Sequence, residues 1–278
     1  MKILVIGASG MLAKPVIQQL DKKGFQLRLF SRSVNPSLFI NDYDIVRGDV
    51  FNPDDLNKAV KGCDAIHISL SKLDEKKSTE AIVQVAKKHG IQLISMVSGA
   101  TVSEENRWFP FIDNKFQAEQ LIINCGIPYM IFRPTWFFES LELMIRNGKA
   151  MMIGEQPNPY HWVAADDFAQ MVTEAYLQKE AANQTFYVYG PQRFLMKDLL
   201  KKYCDVFYPG IKKVSVAPIS LLKFIATISR NRELKSATQL FSYFQKIKEP
   251  EVTTAADGLI GKPKITFDKW LEIQKEQS

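Results

Sequence analysis

The chain has 278 residues, 46% hydrophobic and 24% charged, with a formal charge of +6, which is the balance of a globular protein of one large domain or of a domain with a smaller lobe. Basic pairs such as Lys22-Lys23 and Lys212-Lys213 are scattered rather than gathered into a block interleaved with aromatics, which argues against a nucleic-acid partner. Cys63, Cys125 and Cys204 form no CxxC pair and fit a reducing, cytoplasmic compartment; His67, His89 and His161 show no metal-ligand spacing, and no apolar run is long enough to span a bilayer.

In chain order, Lys2 and Ile3–Ile6 begin like an export signal, but the run is too short and glycine interrupts it. Short apolar runs rich in β-branched residues predict strands at Ile3–Ile6, Gln26–Phe30, Asp44–Val46, Ala65–Leu70, Gln92–Val97 and Tyr129–Phe132. Helical periodicity falls between them, at Met11–Lys23, Pro53–Val60, Lys76–His89 and Lys115–Asn124. Strand–helix alternation with short links predicts parallel strands and right-handed crossovers, a doubly wound α/β sheet. His67, inside an apolar strand, reads as a satisfied core histidine. After Pro134 the rhythm changes. Aromatics and methionines crowd Trp136–Met152; a helix follows at Ala165–Lys179, a strand at Thr185–Tyr189 and a helix at Met196–Val206. Ile219–Ile228 is apolar except at Ser220, Lys223 and Thr227, which share one helical face, so it reads as a helix buried most of the way round. The division implied is 1–134, completed by parts of 158–190, and an interleaved, mostly helical lobe from 135–157 and 191–278, the part open to a protein partner.

The segment GASGMLA follows the first strand and opens the first helix. Gly7 allows a tight turn, Gly10 lets backbone approach a pyrophosphate, and Ala13 lets helix and strand pack closely. The loop residues Gly7, Ala8, Ser9, Gly10, Met11 and Leu12 then present N–H groups and a helix dipole to an anion. Strand two ends in Ser31, Arg32 and Ser33 without the carboxylate that would bond a ribose 2′-hydroxyl. A guanidinium suits a phosphate, so NADP is favoured over NAD. Asp49, followed by Val50 at the end of strand three, suits the adenine amino group. Ser69 ends strand four, where the chain passes the second ribose and the phosphates.

Together GASGMLA, the SRS strand end, GDVFNPDDL, MVSGATV, Lys115 in NKFQAEQLI, CGIPYMIFRPTWF and HWVAADDFAQMV resemble the atypical short-chain dehydrogenase/reductase family, in its NmrA-like or NAD(P)H-binding epimerase-like form. The resemblance runs to about Gly190. It implies a Rossmann sheet with a small lobe over the nicotinamide. Lys115 then holds the nicotinamide ribose, Pro134 and Trp136 line the carboxamide side, and Trp136, Phe137 and His161 face the substrate. Pro134 equally reads as a strand terminator, and Trp136 and Phe137 as core between the lobes.

The departures from the family bear on chemistry. Its YxxxK pair has a tyrosine donor four residues before the lysine. Here that position is Phe111, and a phenyl ring exchanges no proton. Gly99 stands where relatives have the catalytic serine, with Ser98 one residue early. Ser98, Thr101, Lys115, Tyr160 and His161 are the substitute donors. Three readings follow: an NADPH-dependent oxidoreductase passing hydride to a small carbonyl or quinone-like substrate, with Lys115 and Ser98 as candidate catalytic residues; an NADPH-binding sensor or scaffold without turnover; and a nucleotide-sugar epimerase-like enzyme.

Overall fold

A computed structural model describes residues 1–70, 74–251 and 256–277. In chain order the regular elements begin β1 (Lys2–Ile6), α1 (Ala13–Lys22), β2 (Gln26–Ser31), β3 (Asp44–Arg47), α2 (Pro53–Val60), β4 (Ala65–Ile68), α3 (Glu75–Lys88), β5 (Leu93–Val97), α4 (Pro110–Ile123) and β6 (Tyr129–Pro134). They continue with β7 (Trp136–Phe137), β8 (Ile145–Arg146), β9 (Lys149–Ile153), β10 (Tyr160–Val163), α5 (Ala165–Leu177), β11 (Gln184–Val188), β12 (Gln192–Phe194) and α6 (Met196–Phe207). β13 (Val214–Ala217), α7 (Ile219–Ile228), α8 (Arg232–Phe244), α9 (Ala256–Leu259) and α10 (Phe267–Gln277) complete the set.

The chain divides into two compact units. The first holds Met1–Pro134, Ala165–Val188 and 256–263. Its seven strands pair in parallel in the order β11-β6-β5-β4-β1-β2-β3, the doubly wound Rossmann arrangement expected from the alternation. Helices cover both faces, so strands such as β1 and β4 are buried along nearly their whole length. Caps set the helix starts. Asn52 accepts hydrogen bonds from the Asp54 and Asp55 N–H groups, with Pro53 at the first helical position of α2. Pro110 opens α4 in the same manner, five residues before the periodicity at Lys115 predicts. Sequence placed α9 with the lobe; it clusters with the first unit because it packs on β11.

The second unit, Thr135–Ala164, Tyr189–Glu251 and 264–277, contains two three-stranded sheets, β12-β10-β7 and β13-β9-β8, with α6, α7, α8 and α10. Its core is aromatic: Phe138, Trp162, Phe267 and Trp270 lie ring against ring, joined by Leu199, Leu200 and Met152. Met144 is also buried there, while Met151 is exposed.

The reading of α7 as a buried helix is corrected. Only Leu222 and Ala226 are buried; Leu221, Phe224, Ile225 and Ile228 are exposed. α7 packs chiefly on α8, so one narrow stripe is covered and the rest of the apolar surface faces solvent.

His67 is a core residue, as its apolar strand predicts. It is fully buried; its Nδ1 lies 2.7 Å from Ser95 Oγ, which lies 2.6 Å from the Tyr176 hydroxyl. Burial disfavours the imidazolium and pushes its pKa down from 6.5 to about 4. The folded state therefore binds fewer protons than the unfolded chain between those values, and stability falls as pH drops through that window. The thermal midpoint of the native chain is expected to fall on acidification from pH 6.5 toward 4 more steeply than that of His67→Asn. Parallel curves would contradict this.

Candidate functional site

β1 ends by turning at Gly7, whose φ of +85° lies in the left-handed region. A Cβ there would sit 2.2 Å from the Ser69 carbonyl oxygen, so the loop rests directly on the chain leaving β4 and only glycine fits. The loop is tied back by the Gly7 N–H to Phe30 O (2.9 Å), the Gly10 N–H to Gly7 O (2.9 Å) and the Ala13 N–H to Gly10 O (3.2 Å). Ala8 is fully buried and Met11 is exposed. α1 has Leu12 at its N-cap position, with no side-chain cap and no acidic residue in its first turn, unlike α2. Its positive dipole end is thus left to an external anion.

β1 lies between β2 and β4, where the strand order reverses, and the crevice outside such strand ends is where doubly wound sheets bind ligands. A cavity of about 350 Å³ opens there. Of the residues expected from sequence, Gly7, Ser9, Gly10, Ser31, Arg32, Asp49, Val50 and Ser69 line it together. Ser9 Oγ lies 3.0 Å from both Ser31 Oγ and Ser33 Oγ, which ties the phosphate loop to the end of β2. The Arg32 guanidinium is 61% exposed, and its Nη1 stands 3.9 Å from Asp49 Oδ2. Gly48 is required by packing, since a Cβ would meet Asp55 at 2.7 Å and the Phe30 ring at 2.8 Å. Asp49 accepts from the Phe51 N–H (3.0 Å), and its own N–H donates to Asp55 (3.0 Å).

Lys115 projects from α4, and its Nζ donates to both oxygens of Glu75, at 2.8 and 2.9 Å. Both side chains are nearly closed to solvent, and Glu75 itself lines the cavity. Burial raises the Glu75 carboxyl above the ordinary range, with Lys115 pulling it back. The Phe111 ring, where the family has tyrosine, lies 5.3 Å from the Lys115 ammonium. The helix expected from periodicity starts at Lys76 and leaves out Glu75, the first residue of α3. A signal existed: Glu75 leads the stripe Ser78, Thr79, Ile82, Val83 and Ala86 that α3 buries.

Ser98 stands apart from the cavity lining. Its hydroxyl donates to Glu119, a fully buried carboxylate that also receives Arg133 Nε (3.0 Å) and Nη2 (2.5 Å). Arg133 in turn donates to the Tyr187 hydroxyl at 2.5 Å. Ser98 therefore completes a buried charge pair. Pro134 ends β6, and its carbonyl accepts from the Ala100 N–H (2.9 Å).

The substrate-side candidates belong to the second unit, on the paired strands β7 and β10. Trp136 stacks on Trp162 at 5.6 Å and contacts Phe244 at 4.8 Å, and Phe137 is buried. His161 Nδ1 lies 2.5 Å from Glu249 Oε2, and Arg193 Nε approaches the same oxygen at 3.4 Å. Glu249, buried and 88 positions along the chain from His161, has no local sequence signal. The Tyr160 hydroxyl donates to Ile247 O, and burial pushes its pKa well up, which makes it a poor proton donor.

Among the described residues no cluster of potential ligands could hold a metal ion, and no helix is long and apolar enough to cross a membrane. Comparisons with known proteins agree with this geometry. The chain is 23% identical over 243 residues to the photosystem II assembly factor Ycf39 of Trieres chinensis, covering 82% of this chain and 76% of that one. It superposes on the triphenylmethane reductase of a Citrobacter species complexed with NADP(H), with a TM-score of 0.76, 19% identity and coverage of 98% and 99%. The NADPH-dependent quinone oxidoreductase of Escherichia coli, complexed with NADPH, gives a TM-score of 0.75 at 18% identity, covering 99% and 100%. These likenesses bear out the Rossmann-like fold with its parallel central sheet. A model of NAD(P)H-binding domains matches residues 7–179, more than half of the sequence, and the chain belongs to that NAD(P)H-binding family.

Proposed function

We propose that the chain is an NADPH-dependent oxidoreductase that reduces a small carbonyl or quinone-like substrate in a reducing compartment, the cytoplasm. The observation that carries this reading is the cavity at the end of β1. Its loop turns at Gly7, where any Cβ would collide with the Ser69 carbonyl, its helix start is uncapped, and its β2 edge carries Ser31, Arg32 and Ser33 in place of a carboxylate. Those features fit a dinucleotide with a 2′-phosphate. Bound there, NADPH supplies a hydride.

The chain's own residues bind and orient. The Gly7–Leu12 loop holds the pyrophosphate, Arg32 with Ser31 the 2′-phosphate, and Asp49 with Val50 the adenine. Ser69 and Lys115 hold the nicotinamide ribose, beside Pro134. An ammonium has three N–H donors. Glu75 holds Lys115 in one orientation, and a remaining donor can serve a ribose hydroxyl or a developing oxyanion. Trp136, Phe137 and His161 are the substrate-side residues of this reading, two aromatic rings and an imidazole. The named activities of the dye and quinone reductases support a flat, conjugated acceptor.

A second reading, cofactor binding without turnover, is favoured by Phe111, which removes the usual proton donor, and by the assembly-factor name of the Ycf39 relative. Following NADPH oxidation against a panel of quinones and aldehydes separates the two. The enzyme reading expects slow turnover with at least one quinone. Tight NADPH binding with no oxidation on any acceptor would overturn it in favour of the second.

A further inference from the structure

α7 carries three stripes. Leu222 and Ala226 are buried, and Ser220, Lys223 and Thr227 form a polar stripe. Leu221, Phe224, Ile225 and Ile228 are 52, 64, 42 and 68% exposed. These four follow the i, i+3, i+4, i+7 spacing of a single helical face. Keeping such a face in water is costly, and contiguous exposed apolar surface marks a place of contact.

The charge around this face is one-sided. Residues 212–248 contain eight lysines and arginines, all of them exposed, against one acidic residue, Glu233. The whole chain carries +6, so the rest of it is close to neutral and the positive excess is concentrated here. Lys223 lies on the adjoining stripe, and Arg230 and Arg232 follow the last turn of α7 directly, with Lys235 one turn into α8.

From this juxtaposition we infer that the solvent face of α7 is a docking surface for an anionic lipid membrane. Leu221, Phe224, Ile225 and Ile228 enter the headgroup boundary, and the flanking arginines and lysines meet lipid phosphates. Apolar residues on one side with basic residues at the margin are what a helix lying in an interface requires. A protein partner fits less well. The four side chains include no hydrogen-bonding group to fix register, and they form one helix face rather than a groove. The inference is independent of the proposed chemistry and needs no spanning helix.

Sedimentation of the whole chain with phosphatidylcholine vesicles, with and without phosphatidylglycerol, tests it. Binding is expected to the mixed vesicles, to weaken about tenfold or more on pure phosphatidylcholine, and to fall with added salt. Two double variants, Phe224→Ser/Ile228→Ser and Arg230→Glu/Arg232→Glu, are each expected to weaken binding by about tenfold or more. Their melting curves should stay unchanged, because all four positions are exposed. No sedimentation with anionic vesicles, equal binding to neutral ones, or indifference to both variants would overturn the inference. So would binding to polyglutamate in place of vesicles, which identifies an acidic protein, or a dimer dissolved by Phe224→Ser/Ile228→Ser, which identifies a second copy of the chain.

Discussion

Replacing Lys115 by methionine is expected to destabilise the chain by about 3 kcal/mol or more at neutral pH and to weaken NADPH binding. The stability loss comes from Glu75, which is 1% exposed and would be left without its charge partner. Stripped of the ammonium that pulls its carboxyl down, Glu75 has its folded pKa raised further above its unfolded value. The folded variant then binds more protons than the unfolded chain, so its stability is greatest in acid and falls as pH rises above the ordinary carboxylate range. The deficit relative to the native chain should therefore shrink on acidification. Adding Glu75→Gln to Lys115→Met should recover most of the stability, because neither member of the pair is then left as an unpaired buried charge, but not the cofactor affinity. Denaturant melts of the two single variants and the double, at two pH values, check this. Additive losses in the double variant would mean that the two groups do not act as a pair.

Gly7→Ala is expected to abolish dinucleotide binding and to destabilise the chain by about 3 kcal/mol, through two separable effects. The left-handed φ penalises any side chain, and the added methyl would sit 2.2 Å from the Ser69 carbonyl oxygen. Gly24 isolates the first effect. It has a φ of +81° and nothing within 4 Å of the position a Cβ would take. Gly24→Ala is therefore expected to cost only about 1 kcal/mol and to bind NADPH normally. Comparing melts and NADPH titrations of the two variants gives the steric contribution by difference. Equal behaviour would show that the loop does not rest on β4 as described.

The first unit was readable because its signals are local. β1, β4 and β5 are buried on both faces, so their runs are apolar but for Lys2, His67 and Ser95, and Asn52-Pro53 marks a helix start by its own chemistry. The pocket was readable for the same reason, since Gly7, Ser31, Arg32 and Asp49 all sit at strand ends that sequence alone places side by side. The second unit was less legible. β7 and β8 have two residues each, too few for any periodicity; pairing with the distant β10 holds β7, and a tight hairpin with β9 holds β8. α7 shows the limit most clearly. Its composition predicts burial, but which faces are covered depends on how much surface α8 offers, and that is a tertiary fact. Ser98 and His161 were singled out as chemical groups, yet what each can do is set by Glu119 and Glu249, distant in sequence.

In the proposed function, preference for NADPH comes from Ser31, Arg32 and Ser33 at the end of β2. A calorimetric titration with NADPH and NADH, on the native chain and on Arg32→Ala, tests it most directly. NADPH should bind more tightly than NADH by about tenfold or more, the range of charge-assisted contacts to one phosphate, and Arg32→Ala should remove most of that difference while leaving NADH affinity nearly unchanged. Equal or tighter binding of NADH by the native chain, or a preference for NADPH that survives in Arg32→Ala, would contradict it.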